Sequence, residues 1–278
     1  MYLIKIKFKK MANEYYEKLI TMNDDEFLNY LFQKSLVKNA QNCSSCGVEM
    51  ILKYKKEVNE KYTWRCINSL CCNYKTTRTL RYGSFFQDFR LPIREILKCI
   101  YSYAIFPRQK DIKIQTFLSK NFIINIRNRL IQKFREYFRL NPIKLGGSGV
   151  TVHVDETKLN FNVKSHRGHS PSEPSWALVF ADTSYFPSRG YVELVENRKS
   201  STLLEVINRV VLPHSIIYTD EWPSYANINQ NEAYLHRTVT HKYHFVDPTT
   251  GVHTQNVESY NNKLKYKIKM VKGVRKEK

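Results

Sequence analysis

The sequence predicts an α/β protein built in successive regions. Three observations carry that reading. Residues 150–154, 176–181, 191–195 and 216–219 are short apolar runs interleaved with helix-length patterns, the texture of strands and helices sharing one core. A Cys43-Ser-Ser-Cys46-Gly47 knuckle is answered by a second cysteine group, Cys66, Cys71 and Cys72. Phe122, Ile126, Leu130, Phe134 and Phe138 recur every four residues with arginines and lysines between them, close to the period of a helix.

Residues 1–39 read as an N-terminal helical segment with a helix over 24–38. Residues 40–83 carry the cysteines. Four thiolates at about 2.3 Å around a tetrahedral zinc need two facing hairpins, and a CxxC with a distant cysteine pair supplies them. The spacing therefore reads as a zinc ribbon holding one Zn²⁺ through Cys43, Cys46, Cys66 and Cys71. Four residues separate Cys66 from Cys71 where two are usual, so Cys72 stands as the alternative to Cys71. Cys99 reads as a buried free thiol.

Residues 84–145 read as helical. The four-residue stripe makes an amphipathic basic helix bearing Arg127, Arg129 and Lys133, and the preceding DIKIQTFLSKNF suggests a shorter helix with a turn at Ser119-Lys120-Asn121. The pair is helix-turn-helix-like, a DNA reader whose second helix enters the major groove; two packed basic helices would give the same pattern. Pro142 with Gly146, Gly147 and Gly149 then breaks the segment. Residues 150–278 hold the strands, a turn through 185–190, a helix capped by Ser200 or Ser201 and ended at Pro213, a short helix from Glu221, and a last helix carrying Glu258.

Forty-five Lys and Arg against 25 Asp and Glu leave a net charge of +20. Such a balance favours a polyanion, double-stranded DNA, over a small acidic substrate. Lysines interrupt the opening MYLIKIKFKK, and no segment approaches the ~18 apolar residues of a membrane span. The expectation is a soluble, unsecreted protein with no membrane partner, in the nucleus of a eukaryotic host or otherwise in the cytoplasm or nucleoid. Six cysteines in such a chain read as thiols or metal ligands.

Against this basic background, Asp155 and Asp220 each end an apolar run, 65 residues apart, and Glu258 follows 38 residues on. If the two strands are neighbours, both aspartates meet at one edge of a sheet, where a helix on its face can deliver the glutamate. Three carboxylates repel unless cations lie between them. Hard oxygen ligands suit Mg²⁺ or Mn²⁺, and two such ions about 3.5–4 Å apart can activate a water or 3′-hydroxyl and stabilise the leaving oxygen at a phosphodiester. Asp220 has a second reading, as the N-cap of the helix from Glu221. Glu156 and Glu221 would face away if the strands continued, which leaves them out of the triad. Lys265, seven residues after Glu258 and on the same helix face, is placed to hold a DNA phosphate. His241, His244 and His253 read as structural hydrogen-bonding groups or phosphate contacts.

Asp155-Glu156-Thr157-Lys158, Arg167-Gly168, YTDEWPSY and HKYHFVDPTTGVHTQNVES together resemble the catalytic domain of Merlin-type DDE transposases and their bacterial insertion-sequence relatives. TWRCINSLC and LRYGSFFQDFRLPI resemble the zinc-ribbon region of the same group, so the resemblance spans roughly residues 40–270. It implies an RNase H-like catalytic domain over 150–278, a mixed sheet flanked by helices, with the triad Asp155, Asp220 and Glu258 and cut-and-paste strand transfer. It implies as partners the element's terminal inverted repeats, target DNA and further copies of the chain in a homodimer or higher oligomer. The chain stops in KYKIKMVKGVRKEK, short of the family's further C-terminal stretch, the expectation for a truncated or degenerate copy. A catalytically inactive DNA-binding derivative and a metal-dependent nuclease of the same fold are the alternatives.

Overall fold

A computed structural model describes residues 2–106, 108–159, 174–230, 233–239 and 252–270. The chain divides into two units, Met1–Ile131 and Gln132–Lys278.

The first unit opens with α1 (Tyr2–Thr21) and α2 (Asp24–Gln33). The sequence reading did not single out α1, because lysines interrupt its apolar residues; from residue 11 onward it buries Ala12, Tyr16 and Leu19, one face at helical spacing. A reciprocal capping box starts α2: Glu26 N–H donates to Asn23 Oδ1 at 2.9 Å, and Asn23 N–H donates to Glu26 Oε2 at 3.0 Å. The helix stops at Gln33, short of the expected Lys38, where the backbone turns through a left-handed Ser35 (φ 51°). Strands β1 (Ile51–Tyr54), β2 (Tyr62–Arg65) and β3 (Thr77–Thr79) form an antiparallel sheet in that order.

Helices α3 (Ile93–Ile105), α4 (Gln109–Thr116) and α5 (Lys120–Leu140) follow. Glu60 fixes the entry to α3. It accepts from Ile93 N–H at 3.1 Å and pairs with the buried Arg81. Between α4 and α5 the chain turns through a left-handed Phe117, and Ser119 Oγ accepts from Phe122 N–H at 3.3 Å. The four-residue stripe of α5 meets the core only in its first half. Ile123 and Ile126 are buried, whereas Phe134 and Phe138 are 57% and 47% exposed.

The second unit contains β4 (Leu145–Gly146), β5 (Thr151–Lys158), β6 (Trp176–Asp182), β7 (Arg189–Val195), α6 (Ser200–Val210), β8 (Val211–Leu212) and β9 (Ser215–Asp220). A 3₁₀ helix (Pro223–Gln230), β10 (Tyr234–Val239) and α7 (Gln255–Met270) complete it. Five strands form one sheet in the order β10-β9-β5-β6-β7. The β5, β6 and β7 strands run antiparallel in sequence, and β9 lies parallel to both β5 and β10. β4 and β8 make a separate parallel pair.

Side-chain alternation divides the work of the two sheet faces. Val152, Val154, Leu178, Phe180 and Ile217 pack with Leu203, Val206, Ile207 and Val210 of α6. Val179 and Ala181 face the other way, onto Val257 of α7. Gly190 on β7 permits the close approach of α7: a Cβ there would collide with the Tyr260 ring, whose hydroxyl donates to Ser188 O.

Three expectations for this half are corrected. Strand β5 does not end before Asp155; it continues to Lys158, paired with β6 from Val152↔Asp182 through Lys158↔Trp176. Neither Ser200 nor Ser201 caps α6, which already starts at Ser200; Asn197 Oδ1 accepts from Lys199 N–H at 2.9 Å instead. β10 is an additional strand, absent from the sequence reading.

Candidate active site and metal centre

The parallel register of β5 and β9 pairs Thr151 with Ile216, Val152 with Ile217 and His153 with Tyr218. The same offset carried two residues further sets Asp155 level with Asp220. Equivalent positions in a parallel pair share a face, and Asp155 faces α7, where Asn261 Nδ2 donates to its Oδ2 at 2.6 Å. Glu258 lies one turn before Asn261 on that helix, with its Oε1 accepting from Thr254 Oγ1 at 2.8 Å.

Burial pushes the Asp155 carboxyl up to about 7, and the charges of Glu156, Asp220 and Glu258 add to it, while the Asn261 bond pulls the other way. The sites foreseen as a triad thus share one electrostatic environment, with excess negative charge. Asn261 Oδ1 is buried with no hydrogen-bond partner among the described residues. Carboxylate and amide oxygens are the donor chemistry of a hard divalent cation, although the ligand oxygens of Asp155, Asp220 and Glu258 do not all lie within 4.8 Å of one another in this structure. A groove of about 390 Å³ runs along the Glu258 face of α7, lined by Gln255, Glu258, Ser259, Asn262, Lys263 and Tyr266. Lys265 is exposed on the same helix.

Asp220 also does what its rival reading requires. Its Oδ1 accepts from Trp222 N–H at 3.1 Å and so shapes the turn into the 3₁₀ helix. The two roles are compatible, because a carboxylate carries two oxygens and several lone pairs. Glu156 points to the opposite sheet face, as alternation requires. Its side chain is 1% exposed, paired with Arg198 and hydrogen-bonded by the Tyr225 hydroxyl.

The sequence reading missed Asn261, Arg198 and Tyr225. Asn261 was findable as the residue one helical turn after Glu258; nothing local signals Arg198, which lies 42 residues from its partner. His253 stacks edge-on against His153 with ring centroids 4.9 Å apart, and Nδ1 of each is buried with no hydrogen-bond partner among the described residues. His241, His244, Arg167, Gly168 and the FVDPTTG stretch lie outside the described residues.

In the first unit, Sγ atoms of Cys43, Cys46, Cys66 and Cys71 all lie within 4.8 Å of one another; among the described residues this is the one such set of possible metal ligands. Cys43–Cys71 and Cys46–Cys66 are separated by 3.8 and 3.9 Å. A tetrahedral metal with bonds of about 2.3 Å has ligand edges of about 3.8 Å, so the cluster fits a structural metal site. The Cys43 thiol is drawn down to about 6 by backbone N–H groups of Cys46 and Ser45. Gly47, at φ +70°, turns the knuckle, its N–H donating to Cys43 O at 3.0 Å. Cys72 is exposed and outside the set, and Cys99 is a buried thiol.

Among the basic residues on α5, Arg127 and Lys133 are exposed. Arg129 donates to Asp88 at 3.0 Å and lies over the Phe89 ring, and Lys133 pairs with Glu136 at 2.7 Å. No helix among the described residues is long and apolar enough to cross a membrane.

The ISXO2-like transposase domain matches residues 144–278, the span that contains all three carboxylates. An uncharacterized transposase-like protein of Haemophilus influenzae is 31% identical over 87 residues, which are 31% of this chain and 68% of that protein. A chain of a simian T-cell lymphotropic virus intasome in complex with PP2A regulatory subunit B56 gamma aligns with a TM-score of 0.30 and 19% identity. That match covers 64% of this chain and 63% of the other, under two thirds of its length. With a family domain over the carboxylate-bearing half and a transposase-like relative matched over most of its length, the chain belongs to the insertion-sequence DDE transposase family.

Proposed function

We propose that the protein cleaves double-stranded DNA at the terminal inverted repeats of its element and transfers the ends to target DNA. The observation that carries this reading is the β5/β9 register, which supports Asp155 and Asp220 as level neighbours on the face that receives Glu258. Three antiparallel strands followed by two parallel ones, in the order β10-β9-β5-β6-β7, support an RNase H-like fold for residues 150–278.

In this reading Asp155, Asp220 and Glu258 hold two Mg²⁺ or Mn²⁺ ions. When bound, such ions supply Lewis acidity at the phosphodiester and a nucleophilic oxygen at neutral pH. Asn261 fixes one oxygen of Asp155 by donating to it, and the Trp222 N–H fixes one oxygen of Asp220. Lys265, exposed on α7, contacts a DNA phosphate. The four cysteines hold one Zn²⁺ in a ribbon over residues 40–83, a role supported by their mutual distances. The helices of residues 84–145, with a three-residue turn before α5, act as a helix-turn-helix-like reader through Arg127, Arg129 and Lys133. Residues 1–39 form a helical lead-in. Two element ends must meet for transfer, which favours a homodimer or higher oligomer on DNA.

Cleavage of DNA carrying the sequences that flank the gene, in Mg²⁺ and in Mn²⁺, tests the reading. Asp155→Asn, Asp220→Ser and Glu258→Gln are each expected to lower the rate on the order of a thousandfold, several kcal/mol of transition-state stabilisation, with DNA retained. A serine still accepts a hydrogen bond from the turn. Near-normal cleavage by Asp220→Ser would therefore reduce Asp220 to a cap and sink the triad.

A further inference from the structure

One guanidinium joins the chain segments that carry the two aspartates. Arg198 lies in the connection between β7 and α6, and its Nε donates to Glu156 Oε1 at 2.7 Å while Nη2 makes a second bond to the same oxygen. Its planar head sits between two indoles, 4.5 Å from the Trp176 ring centre and 3.9 Å from that of Trp222. The Arg198 carbonyl accepts from Ser224 Oγ at 2.7 Å, and the Tyr225 hydroxyl reaches the other oxygen of Glu156.

Each partner is a near neighbour of an aspartate. Glu156 follows Asp155 on β5 and anchors the backbone from the opposite face of the sheet. Trp222 lies two residues after Asp220, and its own N–H holds Asp220 Oδ1. Arg198 touches neither aspartate. It reaches Asp155 through the strand backbone and Asp220 through the Trp222 peptide.

Resting on the carboxylate reading above, we infer that Arg198 is a positioning residue: clamped to Glu156 and sandwiched by Trp176 and Trp222, it fixes Asp155 and Asp220 in the mutual placement that a divalent cation requires. The planar fork suits this task. It donates along its edge to a carboxylate and offers both faces to aromatic rings, whereas a lysine ammonium is a compact point charge that can do only part of it. Glu156 is buried and needs a charged partner, so the clamp has a reason to persist in the absence of DNA.

Mn²⁺ alone is the probe, titrated calorimetrically into the full-length protein with its cysteine site loaded, well below the unfolding temperature of each variant. Wild type is compared with Asp155→Asn, Arg198→Lys and Trp222→Leu. Trp222 is 40% exposed, so its replacement leaves the fold in place even if Arg198→Lys does not fold. Asp155→Asn is expected to abolish Mn²⁺ binding, and the two clamp variants to weaken it about tenfold or more with unchanged circular dichroism. A purely structural clamp would lower unfolding temperatures but leave Mn²⁺ affinity at the wild-type value, and that result overturns the inference alone. Equal binding by wild type and Asp155→Asn would instead overturn the carboxylate reading and the inference with it.

Discussion

Cys71 and Cys72 are adjacent in the chain and opposite in environment: Cys71 is buried within the four-sulfur cluster, where Asn73 N–H donates to its sulfur at 3.3 Å, whereas Cys72 is exposed. The expected outcome is one zinc per purified chain, retained in Cys72→Ser and lost in Cys71→Ser, because a three-sulfur remnant no longer closes the tetrahedron. Elemental analysis decides it, and full zinc in Cys71→Ser would show that the fourth ligand is elsewhere. The first knuckle was legible from spacing alone, since CxxCG is a local signal, whereas the second, with four residues between Cys66 and Cys71, was read only as its distant counterpart. The choice between neighbouring cysteines was not legible, because it depends on which side of the turn faces the cluster. Asp155 illustrates the same limit. The apolar run stops at Val154, and local sequence therefore ends the strand there, yet β5 continues because Arg198 neutralises Glu156 and β6 pairs with Thr157 and Lys158. Both reasons are distant in sequence.

Placement of α7 decides whether Glu258 reaches the aspartates, and it rests on a small contact surface. Val257 packs on Val179 and Ala181, and Tyr260 lies over Gly190. Gly190→Val inserts a side chain where the ring sits, an overpacking expected to cost about 1–3 kcal/mol and to lever the helix outward. Urea unfolding should register the loss, DNA cleavage should fall with it, and Tyr260→Ala in the same chain should restore part of both by vacating the space. Absence of any recovery in the double variant would show that α7 is held by other contacts. Strong local patterns gave β6, β7, α6, β9 and the Glu258 helix from sequence. Weak ones stayed coarse or failed: α1, interrupted by lysines, was read only as part of a helical segment over 1–39, β10 lies at the sheet edge, and the regular stripe of α5 promised a buried face along its whole length where only Ile126 of the stripe is buried. Periodicity states which residues share a face, and only tertiary contacts state whether that face is covered.

For the whole molecule the governing quantity is charge, and it needs no structure to read: +20 over 278 residues. That excess coexists with a carboxyl, Asp155, that burial first and the charges of Glu156, Asp220 and Glu258 second push up to about 7. The two facts make sense together if lysines and arginines gather a polyanion while the acids await cations. Phosphate neutralisation releases condensed counterions, so the logarithm of affinity falls linearly with the logarithm of salt concentration, with a slope set by the number of contacts. Several contacts predict a loss of two or more orders of magnitude in affinity for duplex DNA between ~50 and ~200 mM salt, measured by fluorescence anisotropy on a labelled duplex. Arg129 and Lys133 already have carboxylate partners in Asp88 and Glu136, whereas Arg127 and Lys265 are exposed. Replacing Arg127 or Lys265 by Ala should each reduce the salt slope by about one contact, and replacing Lys133 by less, because its partner competes with phosphate. An affinity independent of salt would remove the basis for reading the charge as a DNA-binding surface. A normal slope unchanged by Arg127→Ala and Lys265→Ala would keep DNA as the partner and assign its contacts to other lysines and arginines.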